Sequence, residues 1–387
     1  MVFPLSFGFS TTPVSVGFRA FVLALSVLLI LVGVSHSRRN EIHVGYFSLV
    51  FFYSIYLVRL VYDLSIKEIA LSSALQSSTY IYLFAIGSTF LPILAGLPLS
   101  GKLDFKKINN IILTISFIQA ISIAYIFFQI YGVSLDAIAS RHIIATAMEE
   151  SNIGQPINPI IISRSGGYLA LLIVFFKPKR LFYKFIKYCG LVLGIVLLLL
   201  GASRGPLLAL IISYLLVAFL YILREKKNFK WLIRVGIGFT LLLGLIYFLS
   251  LSYKELDINM LDRMISMFDG SQRSSKSEVR TVIWNNAWNQ FISSPIVGNK
   301  IVENSTLNYP HNLFLEVLMS VGLIGFIPFV ISIYYAFKKG FELLFNGYQS
   351  VFFLFFFGFI SMLFSGSIFL SPEFWVTMVL IFLVKNE

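Results

Sequence analysis

Charge is what this chain has least of. Only 12% of its 387 residues are Asp, Glu, Lys or Arg, where an ordinary soluble domain carries roughly 25%. Cysteine is almost missing as well, since Cys189 stands alone. A single cysteine excludes an intrachain disulfide, and no metal-ligand spacing surrounds it. Inside an apolar run it reads as a buried, inert thiol. The chain lacks a Walker-type phosphate loop, a Gly-x-Gly-x-x-Gly fingerprint, a His-Glu-x-x-His pair and an Asp-x-Asp pair that would hold a metal-bound nucleotide sugar. Nucleotide-driven and metal-driven chemistry therefore have no support, and neither a metal site nor a cofactor is expected. No repeat of fixed period and no Gly/Ser-rich or Pro-rich linker divides the chain. One transmembrane domain over 1–387 is the economical reading. The apolar run after Arg19 is too long for the core of a cleavable signal.

What is present is apolar surface. Hydrophobic residues make up 58% of the chain, and mean hydropathy is +0.86. Runs of about 20 apolar residues recur, each long enough to cross a bilayer as a helix. The pattern predicts an all-α polytopic membrane protein with eleven spans, near 15–35, 43–62, 79–98, 110–131, 158–176, 187–202, 206–223, 232–251, 311–336, 348–367 and 372–384. Residues 1–14, with Pro4 and Pro13, read as a re-entrant or interfacial segment.

Net charge is +12, but its distribution argues against nucleic acid. Of the 30 basic residues, 18 fall in one alternate set of loops, with only five acids beside them. That asymmetry orients a membrane protein and places this set in the cytoplasm, against anionic lipid. The opposite face then collects unusual cations. Arg19 opens span 1, Arg59 lies near the outer end of span 2, and Arg164 near that of span 5. Arg204 occupies the tight Ser203-Arg204-Gly205 turn between spans 6 and 7. Arginine in a span costs at least about 2.5 kcal/mol on insertion scales. Arg19 and Arg59 can meet that cost by snorkelling to lipid phosphates. Arg164 and Arg204 stand beside small residues that let a ligand approach, and guanidinium forks suit phosphate oxygens.

The longest polar stretch, 252–310, reads as one large external loop. Its middle is helical in pattern, with Trp284, Trp288 and Phe291 at i, i+4 and i+7 and Arg280 one turn earlier. Both a tryptophan-anchored interfacial helix and a sugar-stacking, phosphate-binding element fit this pattern. Ser294-Pro295-Ile296-Val297-Gly298 closes the helix in a turn. His311 follows Pro310 at the mouth of span 9. Asn312 and Glu316, one turn apart, are expected to face one cavity. An imidazole there can take a proton from a hydroxyl nucleophile, with Glu316 as a partner that would orient the ring.

Taken in order, these segments resemble the O-antigen polymerase and O-antigen ligase superfamily. The resemblance rests on Ser203-Arg204-Gly205, Arg280 before Trp284, Pro295-Ile296-Val297-Gly298, His311-Asn312-Leu313-Phe314-Leu315-Glu316 and Val321-Gly322-Leu323-Ile324-Gly325. It covers about 190–335, and the first half of the chain shares only hydropathy. It implies a bacterial inner-membrane glycosyltransferase with a GT-C-like helical fold and an active site facing the periplasm. The implied chemistry is metal-independent and inverting, and the implied donor is a glycan on undecaprenyl diphosphate. Arg204 and Arg280 would hold the diphosphate and His311 would activate the acceptor hydroxyl. Arg59, Arg164, Trp284, Asn312 and Glu316 would contact substrate. Implied partners are the lipid-linked donor and acceptor, the membrane lipids and a chain-length regulator. The loop carries six cations against six acids, which suits a polymerase better than a ligase that must approach an anionic lipid core. A ligase, or a capsule or exopolysaccharide polymerase, is the alternative. A flippase for the same glycan is the reading from another class. It would show an internal repeat and midplane charges, whereas the charges here gather at one face.

Overall fold

The computed structural model describes residues 11–36, 43–72, 78–99, 103–131, 159–176, 179–201, 203–224, 275–345 and 348–384. Among these residues every regular element is helical. The helices are α1 (Thr11–His36), α2 (Val44–Val61, continued by a π-helical turn over Tyr62–Ile66), α3 (Ser78–Leu99, π-helical over Leu83–Phe90), α4 (Phe105–Tyr131), α5 (Pro159–Phe175) and α6 (Leu181–Leu200). They continue with α7 (Arg204–Arg224), α8 (Ser275–Ser293), α9 (Leu313–Phe345), α10 (Gln349–Ser365) and α11 (Pro372–Leu383). Ten expected spans coincide with ten of these helices, and α8 is the helix expected inside the long loop. The remaining span, 232–251, lies outside the described residues. So do residues 1–10, the loop 132–157 with His142, and the first part of the long loop, 252–274. Among the described residues, five helices are long and apolar enough to cross a membrane, and five more carry shorter apolar stretches. The protein is an all-α, multi-pass membrane protein.

The chain divides into two compact units. Unit 1 comprises Met1–Thr12 and Leu113–Gln272, and unit 2 comprises Pro13–Ile112 and Arg273–Glu387. In unit 1, α5 and α6 cross where Gly166 meets the backbone of Gly194 and Leu198, so that a Cβ on either glycine would overlap its neighbour. Small residues at such a crossing let two helices pack backbone to backbone without help from water exclusion. Ile162, Leu169, Ile173, Leu197 and Leu200 close around it. Tyr214 of α7 donates to the Ala170 carbonyl of α5 at 2.8 Å.

Unit 2 is built on α2 and α9 around an aromatic core of Phe52, Tyr53, Tyr56, Phe314, Phe329 and Trp375. At Gly322, α9 is broken (φ +57°, ψ −158°), a conformation that only glycine adopts without strain. The break frees backbone groups that apolar surroundings cannot hydrate. The turn after α8 takes them up. Leu323 N–H donates to the Pro295 carbonyl at 2.9 Å and Ile324 N–H to the Ile296 carbonyl at 3.1 Å, while the Met319 carbonyl accepts from Asn299 N–H at 2.8 Å. Gly298, at φ +74°, lies directly against the Ser320–Val321 backbone. The Pro295–Gly298 and Val321–Gly325 segments are therefore two halves of one junction.

Two expectations are corrected here. Arg19 does not snorkel to the lipid surface. It is 4% exposed, donates to Ser88 Oγ at 2.6 Å and stands over the Phe84 ring. The π-helical stretch of α3 presents both partners, so the guanidinium is held inside unit 2 instead. Cys189 is exposed rather than buried, because α6 turns Gly190 and Gly194 inward and leaves position 189 on its outer face.

Candidate functional site

The candidate site forms at one end of unit 2, where α2 finishes, α8 lies alongside and α9 begins. Asn312 caps α9, its Oδ1 accepting from Leu315 N–H at 3.1 Å. This satisfies one of the donors that a helix start leaves unpaired. Just before the cap, His311 is held at φ +57°. A non-glycine residue in the left-handed region is uncommon and costs on the order of 1–3 kcal/mol, so the surroundings must impose it. They are visible on both sides. Trp284 Nε1 donates to the Pro310 carbonyl at 2.9 Å, and the Tyr309 ring packs edge-on against the imidazole at 4.4 Å.

Among the described residues the imidazole has no hydrogen-bond partner. Its Nδ1 is enclosed, which leaves Nε2 as the nitrogen that can reach a ligand. Burial, and then the positive charge of Arg280, push its pKa down from the ordinary value to about 4. Both causes favour the neutral imidazole. Arg280 is exposed on α8, and its effect on His311 places the two side chains within electrostatic reach.

Arg59 is anchored rather than loose. Its Nε lies 3.3 Å from Asp63 Oδ2, and the same oxygen accepts from Ile301 N–H at 2.8 Å. Asp63 is fully buried, whereas the arginine keeps 14% of its side-chain surface. One carboxylate thereby ties the end of α2 to the loop that leads into His311. Sequence reasoning missed Asp63, although its i+4 spacing from Arg59 was a legible signal.

Asn312 and Glu316 turn to different partners rather than to one shared cavity. Glu316 is fully buried and accepts from Ser367 Oγ at 2.8 Å and Ile368 N–H at 3.1 Å, so it braces the segment before α11. The reason is local. A capping side chain folds back on its own helix, while Glu316 already lies within the helix and points into the core. Glu316 does not orient His311 either. Trp284 has committed its indole N–H to Pro310, so it fixes the backbone beside His311. Trp288 is exposed and packs on Phe291 at 5.2 Å. The face of α8 that is buried consists of Ile283, Ala287 and Gln290 instead.

Arg164 and Arg204 belong to unit 1. Arg164 is 9% exposed on α5, and Gly166 beside it packs against α6 rather than opening a path to a ligand. Arg204 is the first residue of α7. The turn ahead of it is held by Ser163, whose hydroxyl donates to the Leu198 carbonyl at 3.0 Å and accepts from Ser203 N–H at 3.3 Å.

Arg204, Arg280, Trp284, His311, Asn312 and Glu316 all fall within one stretch of family similarity. Residues 189–330 match the model of the O-antigen ligase family. This match is a likeness of that segment to the O-antigen ligase and polymerase superfamily. No curated protein matches the chain. The matched segment contains both halves of the Gly298–Gly322 junction and the strained histidine. Among the described residues no group of three or more His, Cys, Asp or Glu side chains is placed to hold a metal.

Proposed function

We propose that this protein is an O-antigen polymerase that joins oligosaccharide repeat units carried on undecaprenyl diphosphate, at the periplasmic face of the bacterial inner membrane. The observation that carries the reading is His311. It is half-buried, with its pKa lowered by desolvation and by Arg280, and held at positive φ at the entrance of a membrane helix within the matched segment. An acceptor hydroxyl attacks the anomeric carbon of the donor and passes its proton to His311 Nε2. The bond from that carbon to the diphosphate oxygen breaks, and the lipid diphosphate leaves with the electron pair. Arg280, with Arg204 by the family resemblance, stabilises the charge growing on the leaving group, a role that preorganised cations fill without a metal. Donor binding also neutralises Arg280 and so removes part of what depresses the His311 pKa. The base strengthens once the donor is in place. The balanced charge of the long loop favours an acceptor that is another lipid-linked repeat unit over an anionic lipid core.

The test is polymer formation by purified protein from lipid-linked repeat units. Arg280→Ala and Arg204→Ala are expected to abolish polymer at equal expression. Lysine at Arg204 should restore little, because it loses the bidentate fork. Wild-type ladders from either alanine variant would sink the reading. Transfer to a lipid A core acceptor without self-polymerisation would make the protein a ligase.

A further inference from the structure

Between α8 and the segment that follows it there is a cleft of about 440 Å³, within the roughly 300–1,000 Å³ typical of small-ligand sites. One wall is α8, through Asn286, Asn289 and Ser293. The other is the returning segment, through Asn299, Asn304 and Ser305. The walls are locked together. Asn286 Nδ2 donates to Ser305 Oγ at 3.0 Å, Asn299 Nδ2 to Ser293 Oγ at 3.1 Å, and Asn304 N–H to Gln290 Oε1 at 2.8 Å. Beneath them Glu303 is fully buried. Its carboxylate accepts from Ser305 Oγ at 2.9 Å and from the backbone N–H groups of Ser305 and Thr306, so the far wall is rigid.

The chemistry of this cleft is unusual for a water-exposed surface. No charged residue occurs from Thr281 to Asn299, yet that stretch holds five amide side chains. Solvated helix faces are ordinarily covered by Lys and Glu. Here the side chains of Asn289 and Asn304 are exposed and bonded to nothing in the protein, and the Asn286 and Asn299 amide oxygens are likewise unused. An uncharged amide presents a donor and an acceptor side by side, which matches the alternating hydroxyls of a pyranose. It offers no selective attraction to an anion.

We propose that this cleft binds uncharged sugar residues of the glycan. Asn289 lies nine residues beyond Arg280 on α8, about 13 Å along the axis at 1.5 Å per residue. The sugars it holds are therefore set back from the diphosphate end. The site is preformed, so binding loses little to ordering. The assignment rests on the glycan-handling reading above, but its test does not need catalysis.

The experiment uses full-length protein in nanodiscs and, as probe, the uncharged oligosaccharide released by mild acid from the producing strain's own surface polysaccharide. Saturable binding by calorimetry is expected for the wild type. The Asn289→Ala, Asn304→Ala double variant should weaken it at least tenfold, and both truncations remove exposed, unbonded side chains, so folding is retained. His311→Ala should bind the probe as the wild type does, and inorganic pyrophosphate should not compete. Equal affinity in the double variant, competition by pyrophosphate, or no binding by the wild type would each overturn the assignment. Loss of polymerisation in His311→Ala alongside unchanged probe binding in the double variant would remove the cleft and leave the proposed reaction standing.

Discussion

His311 shows how much a single residue owes to its neighbours. An unperturbed imidazole titrates near pH 6.5, about where a general base works best. Here burial and then Arg280 bring the pKa down to about 4. The acid limb of kcat/KM, which reports the free enzyme, is therefore expected well below pH 6 rather than near 6.5. Replacing Arg280 with Ala removes one of the two causes and should move the His311 titration, followed by NMR, upward. An acid limb at 6.5 in the wild type would assign it to another group. The same shift affects stability. A histidine with a lowered folded-state pKa contributes stability above its unfolded value near 6.5, and that contribution is lost as pH falls from there through about 4. His311→Ala should reduce turnover by about 10²–10⁴-fold with donor binding kept. Loss of donor affinity with turnover intact at saturation would make His311 a binding residue. Asp63 acts differently, since its carboxylate partners Arg59 and Ile301 N–H together. Asp63→Ala leaves a buried N–H unpaired, a loss of about 1–3 kcal/mol, and Asp63→Asn should lose less because it can still accept. Thermal unfolding in detergent of both variants checks the order.

Among the elements, the junction between the α8 turn and the break in α9 carries the most structural information. Each of Gly298 and Gly322 sits at positive φ with the other segment's backbone where its Cβ would be. Backbone cannot rotate aside as a side chain can. Gly298→Ala and Gly322→Ala are each expected to cost several kcal/mol, from roughly 1–3 of local strain plus overlap. Because both disturb one contact, the double variant should lose less than the sum of the singles. Full additivity in unfolding measurements would show that the two glycines act separately. By contrast, Cys189 lies on the outer face of α6 and touches no packed junction. Cys189→Ala should leave stability and activity unchanged within about 0.5 kcal/mol.

At the level of the whole molecule, the scarcity of acidic residues has a mechanistic consequence. The proposed transfer relies on guanidinium groups for the charge on the leaving diphosphate. Polymerisation by the purified protein should then survive excess chelator. Activity lost with EDTA and restored by magnesium or manganese would count against arginine as the charge-stabilising group. The two compact units divide the candidate arginines, with Arg164 and Arg204 in unit 1 and Arg59 and Arg280 in unit 2. Alanine at Arg204 should consequently leave the His311 environment of unit 2 intact, including its titration, while abolishing polymer.

The sequence by itself determined the fold class and most of the spans, because a bilayer imposes a length and an apolar composition that hydropathy reads directly. It also singled out Arg59, Arg280, Trp284 and His311, since a cation or an imidazole at a span end is conspicuous in so apolar a chain. It could not say what those side chains touch. That Trp284 holds Pro310, that Asp63 accepts from Ile301 N–H, and that Glu316 reaches Ser367 and Ile368 instead of His311 are contacts across tens to hundreds of residues. Local periodicity carries no trace of them. Arg19 and Cys189 exchanged their expected places for the same reason. Which side of a membrane helix faces protein and which faces lipid is set by packing, and both sides are apolar. The role of Gly298 and Gly322 emerged only when the two segments met, because a backbone approach that excludes every side chain is a property of the pair.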